Sequence, residues 1–140
     1  MNPFAGRTAL VTGAASGIGK ALAADLRTRD VTVVTTDVEG DVDHRLDVRD
    51  ERAWRALVDE VGVPDLLFSN AGISMGGPTH ELSAAHWERI IDVNLGGAVN
   101  AVLVVYSAMV ERGSGTIVFT PPTAISESSA TCSAKAPMPA

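Results

Sequence analysis

Thr12-Gly13-Ala14-Ala15-Ser16-Gly17-Ile18-Gly19 lies between a β-rich run, Thr8–Thr12 (TALVT), and a stretch, Lys20–Arg29, whose Ala21, Leu22, Ala24 and Leu26 form an apolar helical stripe. A diphosphate is bulky and negative. It needs a turn with no side chain in its path and several free N–H groups pointed at it. Gly13 permits the tight exit from the strand, Gly17 lets the backbone approach the ligand, and Gly19 lets the helix pack on the sheet. The helix N-terminus adds orphan donors and partial positive charge. Gly13, Ser16, Gly17, Ile18 and Gly19 are therefore the candidate phosphate cradle. A glycine-rich turn with no ligand is the alternative for such a trio taken alone.

The next segment narrows the choice. Val31–Thr36 (VTVVTT) is β-branched and reads as a buried strand, and Asp37 ends it. A carboxylate there can accept hydrogen bonds from the hydroxyls of an adenosine ribose and would repel a 2′-phosphate. No Arg or Lys lies in the glycine turn or directly after Asp37, so NAD is expected rather than NADP. The alternative for Asp37 is a loop acid that starts a turn with Glu39-Gly40.

Further out, His44–Leu46 reads as a brief third strand. Asp50 caps a second helix that runs to about Val61 with Ala53, Trp54, Leu57 and Val58 on one face, and Gly62 and Pro64 stop it. Asp65–Ser69 is a fourth strand and Thr116–Thr120 a fifth. Between them a long helix begins at Ser83 and ends at about Arg112, before Gly113. Strands alternating with helices imply an α/β fold: a Rossmann-type doubly wound parallel sheet. Residues 1–120 form the dinucleotide-binding domain. Residues 121–140, rich in Pro, Ser, Thr and Ala, read as an irregular or disordered tail.

The long helix has apolar residues on more than one face, from Ile90 and Ile91 to Tyr106 and Met109. One reading is contact with the sheet alone; the other adds a face buried against a second subunit, making a homo-oligomer.

The 140 residues carry a net charge of −6, which argues against non-specific binding to nucleic acid or an anionic membrane. A single cysteine, Cys132, excludes an internal disulfide and fits a reducing compartment. With no signal peptide visible and Val99–Val105 too short to span a bilayer, a cytoplasmic location is expected. His44, His80 and His86 have no metal-ligand spacing with acids or Cys132, so no metal is assigned.

From Arg7 to about Val118 the chain resembles the short-chain dehydrogenase/reductase family. The glycine turn has that family's spacing. Leu46-Asp47-Val48 resembles its strand-end motif, in which the acid contacts the adenine. Asn70-Ala71-Gly72 is similar to the motif that borders the cofactor and braces the sheet. Asn94, in Asp92-Val93-Asn94-Leu95-Gly96, matches the helix asparagine whose backbone helps hold a water in a proton relay. The resemblance implies hydride transfer between NAD and a small-molecule alcohol or carbonyl. Each match also has a plainer alternative: Asp47 as a helix-flanking acid, Asn70 as a turn residue, Asn94 as a solvent-facing one.

The family pattern then breaks. Such enzymes use a serine after the fifth strand, a tyrosine that transfers the proton, and a lysine four residues later that lowers the tyrosine's pKa. Here Pro122 stands where the serine is expected, and proline has neither hydroxyl nor N–H. In Thr131-Cys132-Ser133-Ala134-Lys135 the lysine resembles the motif, but a threonine replaces the tyrosine, and an aliphatic hydroxyl is a far poorer acid than a phenol. The short gap from Pro122 leaves open whether Lys135 is a true match. Relative to the family the chain is expected to be truncated. Three functions follow: an NAD-dependent oxidoreductase with impaired turnover, a catalytically inactive NAD-binding homologue or fragment, or an interaction module that uses the long helix, residues 83–112.

Overall fold

The computed structural model describes residues 1–120. Strands β1 (Thr8–Thr12), β2 (Thr32–Asp37), β3 (His44–Arg45), β4 (Leu66–Ser69) and β5 (Thr116–Phe119) pair in the order β3-β2-β1-β4-β5, all parallel. The glycine turn leads from β1 to α1 (Gly17–Thr28), α2 is Glu51–Val61, and a single long helix, α3, spans Ala84–Arg112. This is the expected element order with shifts of a residue or so at most ends; α1 starts three residues early, inside the turn.

β1 is the central strand, and its alternating side chains build two cores. Ala9 and Val11 point to one face, where they pack with Ala23 and Leu26 of α1, Val31 and Leu66. Leu10 points to the other, with Trp54 and Leu57 of α2, Leu67, and Ala101, Val105 and Met109 of α3. A sheet buried on both faces must be apolar at consecutive positions, which explains why β1 and β4 do not alternate with polar residues. Trp54 is fully buried and satisfies its indole by donating to the Val48 carbonyl at 3.0 Å.

The helix ends follow their caps. The Asp50 side chain accepts from the N–H groups of Arg52 and Ala53 at the start of α2. Ser83 and His86 form a reciprocal capping pair at the start of α3, and Gly113, at φ +79°, closes it in the left-handed conformation. Arg112 then donates to the carbonyls of Val63 and Pro64, at 2.8 and 2.9 Å, fixing the end of α3 against the loop before β4.

The helix α3 contains two π-helical segments, Asp92–Gly96 and Val102–Tyr106, which the sequence reading does not anticipate. Their cause lies in the packing. The sheet-facing residues Val93, Gly97, Ala101, Val105 and Met109 recur every four positions, and so do the outward Trp87, Ile91, Leu95, Val99 and Leu103. On an ideal α-helix a four-residue repeat drifts by about 40° per step. Underwinding two segments holds each row on its own side. Gly97 is where helix and sheet come closest: a Cβ there would lie 2.6 Å from a Val48 methyl. By length and apolar composition α3 could cross a membrane, but its inner row is packed on the sheet.

Candidate functional site

Both strand and helix ends converge where the C-terminal ends of β1, β2, β3 and β4 meet the N-terminus of α1. A cavity of about 530 Å³ opens there, lined by Gly13, Ser16, Gly17 and Ile18, by Asp37, by Leu46, Asp47 and Val48, and by Asn70, Ala71 and Gly72. Residues expected from four separate motifs thus share one wall. Gly19 lies behind it, and Asn94 acts from one layer further back.

Each glycine of the turn meets a different constraint. Gly13 has φ +66°, and a Cβ on it would lie 2.8 Å from the Ala71 Cα. A Cβ on Gly19 would overlap the Gly13 carbonyl oxygen and lie 2.6 Å from Asn70 Nδ2, so the crowding at Gly19 is within the turn rather than against the sheet at large. Gly17 has φ +55°, lines the cavity, and among the described residues has nothing within 4 Å of a Cβ position. The first-turn amides of α1 lack intrahelical partners, and Ser16 makes no side-chain capping bond. Both α2 and α3 are capped by their own side chains. The uncapped terminus is the one that opens into the cavity.

The turn is held in place from three sides. The Ala14 N–H donates to the Thr36 carbonyl at 3.0 Å. Asn70 Nδ2 donates to the carbonyls of Thr12 and Gly13, at 3.1 and 3.3 Å. The buried Thr12 hydroxyl accepts from the N–H groups of Asn70 and Ala71 at 3.0 and 2.9 Å. Asn70 therefore braces β1 against β4 and also edges the cavity.

The Asp37 carboxylate accepts from the Ala15 N–H at 3.1 Å with one oxygen and from the Val38 N–H at 2.7 Å with the other. A carboxylate has about four acceptor positions, so each oxygen retains one for a ligand hydroxyl.

Asp47 is engaged differently. Its oxygens accept from the Arg49 N–H at 3.0 Å, from Nε at 3.0 and 3.2 Å, and from the terminal guanidinium nitrogen at 2.6 Å. The guanidinium bonds hold the Asp47 pKa below the ordinary aspartate value, with smaller help from the Arg49 N–H and from the charges of Arg49 and Arg89. Beside it, the Val48 N–H has no protein acceptor among the described residues, while the Val48 carbonyl takes bonds from Trp54 and Asn100.

Asn94 sits inside the first π segment. Its Oδ1 accepts from the Ile73 N–H at 2.8 Å and its Nδ2 donates to the Ile73 carbonyl at 2.9 Å. The side chain thus clasps the backbone directly after the Asn-Ala-Gly turn, a role not expected for it from sequence. Lys135, and the positions of Pro122 and Thr131, lie outside the described residues.

The sequence reading also missed cavity residues. Arg49 and Arg89 both line the wall, as do Ile73, Ser74 and Val93. Arg49 was legible, since it follows Asp47 by two positions. Arg89 was not, because only the docking of α3 carries it there.

The family model described as short chain dehydrogenase matches residues 40–134. The chain belongs to the short-chain dehydrogenase family. Among curated members, the cis-4-hydroxycyclohexanecarboxylate dehydrogenase of Sinomonas cyclohexanicum is 42% identical, the match covering 82% of this chain and 54% of that protein. The D-threitol dehydrogenase of Mycolicibacterium smegmatis is 32% identical, over 81% of this chain and 51% of that one. Among solved family structures, a putative short-chain dehydrogenase from Novosphingobium aromaticivorans matches with a TM-score of 0.75 at 31% identity, covering 85% of this chain and 53% of its own. A 3-oxoacyl-[acyl-carrier protein] reductase from Brucella melitensis, solved with bound NAD, matches with a TM-score of 0.72 at 32% identity, covering 82% and 53%. This chain spans about half the length of each of these four proteins.

Proposed function

We propose that this chain binds NAD in the cavity at the head of β1, and that it descends from an oxidoreductase acting on a small-molecule alcohol or carbonyl. The observation that carries the reading is the uncapped start of α1, with Gly17 open to a cavity that continues past Asp37 to Asp47 and Val48. Diphosphate, ribose and base follow one another in an adenine dinucleotide. The strand order lays matching groups along the sheet: orphan amides at β1, a half-free carboxylate at β2, and an acceptor beside a free donor just past β3. An acceptor next to an N–H complements adenine, whose amino group donates and whose N1 accepts. The acid at β2 favours NAD over NADP, since a 2′-phosphate would meet Asp37 and Glu39 in the wall.

When bound, NAD supplies the hydride acceptor, or NADH the donor. The chain's own residues bind and orient it: Asn70 and Thr12 fix the cradle, and Asn94 fixes Ile73 beside it. The family names of the relatives support a small hydroxylated substrate, cis-4-hydroxycyclohexanecarboxylate and D-threitol being what two of them are named for. Pro122 and Thr131, in place of the serine and tyrosine, support binding with little or no hydride transfer. A cytoplasmic setting agrees with the single cysteine and the acidic balance. Calorimetry with NADH and a reductase assay on the same sample test the proposal: NADH binding with turnover at background is expected, and no binding overturns it.

A second copy across α3 is proposed as the partner. The outward row of Trp87, Ile91, Leu95, Val99 and Leu103 is exposed, Leu95 by 61%. Such a stripe exceeds what single scattered apolar residues would explain. Leu95→Glu is expected to convert a dimer to a monomer in light scattering; a monomeric wild type rejects the pairing.

A further inference from the structure

We propose that Arg49 is a positioning residue for the nucleobase: it locks the Asp47 carboxylate so that one acceptor position is left for a base's amino group. The inference rests on the dinucleotide reading of the cavity and adds to it a residue that selects the base.

The geometry is local and complete. Arg49 grips Asp47 three ways, through its backbone N–H, its Nε and a terminal guanidinium nitrogen. The backbone and Nε bonds fall on Oδ1, and the terminal nitrogen on Oδ2, with Nε shared between the two oxygens. Three N–H donors make these four bonds, the single Nε–H being shared between the oxygens, so Oδ2 has only one undivided bond, from the terminal nitrogen, and keeps an acceptor position for a ligand donor. A free aspartate would swing between rotamers and offer acceptors in several directions. This one is held flat by a planar fork, which a lysine ammonium cannot reproduce. Both residues line the cavity wall beside the unpartnered Val48 N–H.

The chemical consequence is a choice among bases. Adenine presents an amino donor next to a ring acceptor, which suits a fixed carboxylate beside a fixed N–H. Hypoxanthine presents a carbonyl oxygen next to a ring N–H, so acceptor faces acceptor and donor faces donor. A mobile Asp47 could turn away from that clash; one held by Arg49 turns only by breaking those bonds. The lock therefore strengthens adenine binding and sharpens rejection of hypoxanthine.

The test uses the full 140-residue chain, with NADH and its reduced hypoxanthine analogue as probes and fluorescence titration as readout. Wild type should bind NADH at least tenfold more tightly than the analogue. Arg49→Ala should weaken NADH about fivefold and leave the analogue unchanged or slightly tighter. Arg49→Lys, which keeps the charge but not the fork, should recover only part of the selectivity. Thermal unfolding of each variant checks that it folds; if Arg49→Ala does not, Arg49→Lys carries the test. An equal loss for both probes would reduce Arg49 to a structural role and overturn the proposal. So would unchanged affinity for NADH, or a wild type that binds both probes alike. A wild type that binds neither probe removes the dinucleotide reading itself, and that result is visible before any variant is made.

Discussion

Replacing Gly17 by alanine separates the backbone's needs from the ligand's. Gly17 has φ +55° with open space at its Cβ position. An alanine there meets no atom of the described residues, so the cost to the fold is the left-handed conformation alone, about 1 kcal/mol. On a domain of this size that lowers the melting temperature by about 4 °C. The cost to binding is larger. The methyl projects into the cradle and pushes a diphosphate away from the first-turn amides of α1. Losing two charge-assisted bonds at about 1.5 kcal/mol each removes about 3 kcal/mol, or roughly a hundredfold in affinity. Gly113 supplies the control, because it is left-handed at φ +79°, is equally open among the described residues, and closes α3 outside the cavity. Gly113→Ala should show a similar melting shift with NADH affinity unaltered. The assay is calorimetric titration with NADH alongside thermal unfolding. The reasoning fails if Gly17→Ala binds NADH within twofold of wild type, or if Gly113→Ala loses as much.

Other outcomes follow from the same contacts. Asp37→Ala should weaken NADH about tenfold and narrow its advantage over NADPH, measured by parallel titrations; unchanged discrimination would take the ribose role from Asp37. Asn94→Ala frees both the N–H and the carbonyl of Ile73 and should cost about 2 kcal/mol in urea unfolding, because partly buried backbone groups lose their partners. Asp65 accepts from the N–H and the hydroxyl of Thr8, which, with the charges of Arg112 and Arg7, hold its pKa below the ordinary value. A carboxylate depressed in the folded state stabilises fully above its unfolded pKa of about 3.9, and that contribution is lost as pH falls through the lowered folded value. Unfolding midpoints between pH 5 and 2 should therefore drop less steeply in Asp65→Asn than in wild type.

The glycines of the turn are legible in sequence because their constraints are local. Gly13, Gly17 and Gly19 are spaced by the turn itself, and β-branched runs on either side give strands wherever they fold. Asp50, Ser83 and Gly113 announced helix ends for the same reason: a cap acts on amides or carbonyls a few residues away. Asn94 was singled out by pattern, yet its bonds to Ile73 span 21 positions and depend on how α3 lies against the sheet. The π segments had a signal in the four-residue repeats of α3, which a period of 3.6 does not match, but amphipathicity alone does not say that the helix rather than the packing will yield.

What the sequence determined by itself was the succession of strands, turns and helices and the conformation of the glycine turn, since backbone sterics and capping operate over a few residues. What the tertiary structure decided was who meets whom: Asp37 reaching back to Ala15, Asp47 already held by Arg49, Arg89 brought to the cavity wall, and one side of α3 left facing outward. Those outcomes depend on the order in which parallel strands pair and on the angle at which a long helix crosses them, and both are settled by the burial of two cores at once, a property of the whole sheet that no short window contains.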